Sequence, residues 1–339
     1  MLTGPPDAAN WPALPLDRRW LERQALEYRQ EYRAGLTGPH LTRRHGQSLE
    51  IRELVHYTPG DDIRHVDWRA SARYGLGESQ RWLARRFVAE EQLTLAVSLD
   101  ARHTMYGPPG AEKLLVALWL AEALAILTLH GTDRIILHPL FSSAGQRARP
   151  PEILRGAGDQ SRIRTSLGRL RAAVEPPAPP SRWPRRLRPA PPQPPVLNIG
   201  ALWPQLAPTA IWLIVTDGYL PEAERDELAR RMTRAVEGSR WVVLVELDSW
   251  PAERAALGTG ARRIDGPGLP FSQPELEIDT VTLQRVEDEI EAGLLPLRRA
   301  ARAHIHWPWP ADPGADIADA FRHWFRADRQ LQSLFRRPQ

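Results

Sequence analysis

From Leu93 onwards the chain alternates apolar strands with helical segments, and this alternation limits the fold more than any other feature. Leu93–Leu99 reads as a buried strand ended by Asp100, and Ala210–Val215 as another ended by Thr216-Asp217-Gly218. Asp133–Leu140, Trp241–Val245 and Ala303–Trp307 complete five strands. Between and after them the spacing predicts helices over Glu112–His130, Ser161–Val174, Pro221–Val236, Thr282–Ala301 and Ile317–Phe335. Glu222 and Glu224 fall in a first turn, where the helix dipole favours acids. Strands in strict alternation with helices imply a doubly wound, mostly parallel α/β sheet, and continuous apolar strands imply that both its faces are covered. In such sheets ligands gather at the carboxyl ends of the strands, which draws attention to Asp100 and Asp217.

Leu114–Leu129 is apolar over sixteen residues apart from Glu122 and Thr128. It is short for a membrane span and reads as a helix buried inside the domain. Met1-Leu2-Thr3-Gly4 does not open a signal peptide, so the expected location is cytoplasmic, with no membrane span. Residues 1–15 read as a loose arm, 16–34 as a helix, 46–57 as a strand, and Ser79–Glu91 as a further helix. The expected division is an N-terminal extension over 1–90 and an α/β domain over 91–335.

The chain has 339 residues and no cysteine, which removes disulfides, thiolate nucleophiles and zinc–thiolate sites. Its 45 basic and 41 acidic residues leave a net charge of +4. Pro176–Pro195 holds ten prolines, four arginines (Arg182, Arg185, Arg186, Arg188) and no acid, so this one insertion accounts for the whole excess. It reads as an exposed, polyproline-like loop, and the rest of the chain is neutral. Lys113 is the only lysine. No phosphate loop, dinucleotide fingerprint, HExxH or nucleophile elbow is present. His304 and His306 flank one strand residue and read as structural histidines.

Two constellations remain. The first is Asp100-Ala101-Arg102-His103-Thr104, which resembles the D-x-S-x-S loop of the von Willebrand factor type A metal ion-dependent adhesion site. Asp100 and Thr104 match that pattern, Asp217 matches its later aspartate, and Ser161 or Thr165 would supply the middle hydroxyl. Magnesium asks for six oxygens in an octahedron, so the resemblance makes Asp100, Thr104 and Asp217 the candidate ligands. Arg102 stands where the first hydroxyl belongs, and a guanidinium beside a divalent ion is unfavourable and cannot deprotonate. Either Arg102 is a built-in cation pairing Asp100 or an incoming carboxylate, or it swings out and leaves a weakened magnesium site. A third reading makes Asp100 and Thr104 simple caps of the turn. As a binding site, the face comprises Asp100, Arg102, Thr104 and Asp217.

The second constellation is Tyr57-Thr58-Pro59-Gly60-Asp61-Asp62-Ile63-Arg64-His65-Val66-Asp67-Trp68-Arg69-Ala70-Ser71-Ala72-Arg73. Its structural reading is a Pro59-Gly60 turn, an Asp62 helix cap, and the arginines of the segment (Arg64, Arg69, Arg73) pairing with aspartates around a buried Trp68. Its catalytic reading makes Asp61, Asp62 and Asp67 a metal-dependent hydrolytic cluster. Pro59, Gly60, Asp61, Asp62, Arg64, Val66, Asp67, Trp68, Ser71, Ala72 and Arg73, followed by Glu90, Asp100, Met105 and Gly107, resemble the bacterial domain of unknown function 58 family. The resemblance spans about residues 40–335. It implies a von Willebrand type A-like domain working beside MoxR-type AAA+ ATPases, without a catalytic set, to mature or remodel client proteins. The chain departs from that family's pattern in Val55-His56, in Arg102 and in the Pro/Arg-rich insertion. A nucleic-acid or anionic-surface binder acting through 176–195 is the alternative of a different class; no nucleic-acid motif accompanies it.

Overall fold

A computed structural model describes residues 11–25, 51–58, 63–74, 82–87, 94–108, 112–130, 133–142, 149–172, 195–262, 276–310, 312 and 314–333. Two compact units divide the chain: Met1–Tyr32 with Leu93–Gln339, and Arg33–Gln92. The described N-terminal residues 11–25 belong to the unit that holds the α/β body.

In chain order the larger unit begins with helix α1 (18–25). The smaller unit holds strand β1 (Ile51–His56), helix α2 (Trp68–Tyr74) and strand β2 (Leu83–Phe87). The body continues with β3 (Thr94–Leu99), α3 (Lys113–Leu129), β4 (Arg134–Pro139), β5 (Phe141–Ser142), β6 (Glu152–Arg155) and α4 (Ile163–Arg171). After β7 (Val196–Leu197) and α5 (Ile199–Leu202) come β8 (Ile211–Thr216), α6 (Glu222–Glu237), β9 (Trp241–Asp248) and α7 (Trp250–Leu257). A small β10 (Gly260–Arg262) and β11 (Leu276–Ile278) pair precedes α8 (Thr280–Ala300), β12 (Ala303–Pro308), α9 (Ile317–Ala327) and α10 (Arg329–Ser333).

The central sheet has the order β12-β9-β8-β3-β4-β6. All its pairings are parallel except that of the edge strand β6 with β4. This is the doubly wound, mostly parallel sheet that the alternation predicts, consistent with a von Willebrand type A-like arrangement. Successive side chains point to opposite faces. Leu95, Val97 and Leu99 join one core layer with α3, α4 and α9, and Ala96 faces the other layer with Trp212, Ile214, Leu228 and Leu297. α3 is buried nearly all round because the sheet covers one side and α4, α9 and the N-terminal segment cover the other.

Three expectations are corrected. Residues 11–15 are no loose arm: Trp11 is buried, Arg164 donates to its carbonyl at 2.7 Å, and Trp119 Nε1 donates to the Pro12 carbonyl at 3.1 Å. The helix expected over Ser79–Glu91 contains strand β2, antiparallel to β1. Ala84 and Arg85 favour helix intrinsically, but the ladder with β1 and the Val66–Ala84 bridge satisfy this backbone as a strand. The last helix is broken at Asp328, whose carboxylate accepts from Leu331 N and starts α10 anew. Among the described residues no helix is long and apolar enough to cross a membrane. The insertion at 176–195 lies, but for Pro195, outside the described residues.

Candidate functional site

β3 and β8 are parallel neighbours from which the chain winds in opposite directions, to β4 and β6 on one side and to β9 and β12 on the other. The gap between them is therefore the topological switch point of the sheet. Asp100 and Asp217 sit at its carboxyl edge, 0% and 1% exposed. Asp100 N donates to the Val215 carbonyl at 3.0 Å, which locks the end of β3 to β8.

Arg102 lies over Asp100. Its backbone N donates to Asp100 Oδ1 at 3.0 Å, Nε reaches Oδ1 at 3.0 Å, and Nη2 reaches Oδ2 at 2.7 Å. The guanidinium also donates to the Tyr219 carbonyl at 3.0 Å and packs on the Phe141 ring at 4.4 Å. Thr216 Oγ1 adds a third donor to Asp100 Oδ2 at 2.9 Å. Burial alone would lower the Arg102 pKa, but Asp100 and then Asp217 raise it above its ordinary value. A forked, charge-assisted pair of this kind is among the stronger side-chain contacts.

Lys113 completes the cluster and is the functional residue that sequence reasoning missed. Its Nζ is 2.9 Å from Asp217 Oδ2 and 2.9 Å from Glu253 Oε1 of α7, and it lies 4.4 Å from the Tyr219 ring centroid. A cation at the start of α3 opposes the helix dipole, so its place there depends on these carboxylates. Asp217 Oδ1 accepts from Tyr219 N at 3.1 Å, and Arg102 Nη2 stands 3.7 Å away. Burial pushes the Asp217 pKa up, yet Lys113 and Arg102 outweigh it and hold the carboxyl below the usual range. Glu253 is further fixed by the Ser249 hydroxyl at 2.5 Å.

The structure therefore brings Asp100, Arg102 and Asp217 together, with Thr104 at the Asp217 side of the cluster. Ser161, just before α4, and Thr165, within it, are both exposed; the hydroxyl on Asp100 comes from Thr216 instead. Asp100, Arg102 and Asp217 are too buried to form a binding face themselves, so a partner would meet the rim around them. The donor set does not fit magnesium. Each oxygen of both carboxylates already faces an N–H, hydroxyl or ammonium group, and two positive charges stand where the ion would bring its own. Asp100 and Asp217 are thus not arranged as metal ligands.

The second constellation is structural where it is described; Pro59, Gly60, Asp61 and Asp62 lie outside the described residues. Asp67 caps α2, accepting from Arg69 N and Ala70 N, and its other oxygen is 2.8 Å from Arg85 Nη2. These hydrogen bonds lower its pKa. Ser71 ties the cap to β2, its hydroxyl accepting from Leu83 N at 2.8 Å. Arg64 and Arg73 are exposed. Trp68 is 57% exposed, not buried: Asp67 starts the helix at Trp68, and the indole stacks edge-on against the half-exposed Trp82 at 5.6 Å. His304 and His306 do share one side of β12, where they pair with Glu246 at 2.8 Å and Asp248 at 3.2 Å. Burial would raise the Glu246 pKa, but His304 and Arg298 hold it at about 2.

Fold and site define a doubly wound α/β protein whose switch point is closed by its own paired charges. Residues 52–178 match the family described as "Protein of unknown function DUF58". The match takes in β1, the Asp67 segment, the Asp100 loop, Lys113 and α4. A search of curated proteins found no match.

Proposed function

We propose that this chain is a non-enzymatic, protein-binding adaptor that works with a MoxR-type AAA+ ATPase in the maturation or remodelling of other proteins. The carrying observation is the closed cluster. The groups that chemistry would use at the switch point, Asp100, Asp217 and Lys113, are spent on one another and shielded from solvent. Such an arrangement favours rigid presentation of the loops above it over turnover. Arg102 joins the Asp100 loop to the Tyr219 loop, and Lys113 joins the start of α3 to α7. The rim then presents half-buried Thr104, Tyr106 and Glu224 beside exposed Pro221 and Glu222. The ATPase partner itself comes from the family resemblance.

The test is capture of a purified MoxR-type ATPase by the tagged chain, with and without nucleotide. Binding that is lost in a Tyr106→Ala, Glu222→Arg variant of native stability supports the adaptor role and its face. Absence of binding by the native chain in every nucleotide state contradicts the adaptor role.

A further inference from the structure

We infer that Arg102 and Lys113 together are an internal substitute for a divalent cation, so that the switch-point site is assembled without metal. The argument rests on the buried cluster and does not depend on the ATPase partner. Two fully buried carboxylates lie at the ends of adjacent strands, and an uncompensated pair of this kind would be strongly destabilising. A divalent ion is one way to neutralise them. Here a guanidinium and an ammonium bring the same charge of +2 from opposite sides.

Their geometry divides the work. Arg102 grips Asp100 with its fork and reaches Asp217 only at 3.7 Å; Lys113 grips Asp217 at 2.9 Å. Each carboxylate thereby has its own cation. Both cations are themselves held by groups outside the pair, Arg102 by the Tyr219 carbonyl and Lys113 by Glu253. An ion could enter only by expelling a buried cation that is 0% or 7% exposed. The distinction matters because a metal-held site opens and closes with metal supply, whereas this one is permanently assembled.

The experiment is manganese titration, followed by calorimetry and by the paramagnetic signal of the ion, on the full chain, on R102S and on R102S/K113A. The native chain is expected to show no saturable uptake up to about 1 mM, the weak end of natural divalent sites, and a thermal midpoint unchanged by chelator. The double variant removes both cations and adds a hydroxyl at position 102 to the oxygens of Asp100, Thr104 and Asp217. It is expected to take up one ion per chain and gain thermal stability from it. One-to-one uptake by the native chain that is lost in D217N would overturn the inference. So would a folded double variant that takes up no ion, because then the two side chains are not what excludes it. If the double variant does not fold, the native titration alone decides.

Discussion

Replacing Lys113 with methionine keeps the stem of the side chain and removes only its charge. Because the buried volume is nearly conserved, the cavity contribution is small and the loss is electrostatic. Three contacts disappear: the ion pairs to Asp217 and Glu253, each 2.9 Å, and the ammonium over the Tyr219 ring at 4.4 Å. Glu253 has a side chain 23% exposed and keeps the Ser249 hydroxyl, so its share is small. Asp217 is fully enclosed, but it keeps the Tyr219 N–H and the guanidinium at 3.7 Å. Breaking a buried pair costs about 3–5 kcal/mol, and the remaining partners place this one at about 3 kcal/mol. Urea denaturation read by tryptophan fluorescence gives the value by linear extrapolation. K113M/D217N should then be more stable than the sum of the single effects, because the amide no longer strands a charge. A K113M chain within about 0.5 kcal/mol of native, or a strictly additive double variant, would refute the reasoning, since additivity is the signature of independent sites.

Two further outcomes follow from the fold. Gly218 has φ +77°, and a Cβ there would lie 2.2 Å from Leu294 Cδ2, so Gly218→Ala should cost several kcal/mol; adding Leu294→Ala should recover the steric part and leave the backbone part, as a thermal double-mutant cycle would show. Burial holds the His138 pKa at about 4, below its unfolded value of 6.5, so its contribution to stability is complete above pH 6.5 and falls by roughly 3 kcal/mol as pH drops from 6.5 to 4. His306, raised by Asp248, has the opposite sign: its contribution is present below pH 6.5 and lost as pH rises through its folded value. Nuclear magnetic resonance of the His138 ring should show it neutral at pH 5; a ring already protonated at pH 6 would contradict this.

Much of the architecture was legible because the strands β3, β4, β8 and β9 are mostly apolar, broken in their interiors only by Ser98, His138 and Glu246, as a sheet covered on both faces requires. β2 was not legible: Ala84, Arg85 and Arg86 carry no strand signal, and the pairing with β1 is a long-range fact. Trp68 was misread as buried because tryptophan usually is; its exposure follows from where Asp67 starts α2. The Asp100–Arg102 pair could be read, since the two residues stand on one turn and bear opposite charges. Lys113 could also have been found. It is the only lysine and heads a helix that is apolar but for Glu122 and Thr128, where a buried charge must be paired. What the sequence could not supply was its partners, because Asp217 and Glu253 lie on elements far along the chain. The Ser98–His138–Trp212 chain was hidden for the same reason. Trp212 Nε1 donates to Ser98 Oγ at 2.9 Å, and Ser98 meets His138 Nδ1 at 2.9 Å, across three strands.

The central claim is that the switch point is shut by Lys113 and Arg102. Lys113 being the only lysine, amine-reactive labelling followed by peptide mass spectrometry reports on that cluster alone, apart from the N-terminus. The native chain should leave Nζ unmodified under conditions that label the urea-unfolded chain fully, and the D217N variant should label faster than native. Labelling of native Lys113 as fast as in the unfolded chain would contradict the claim.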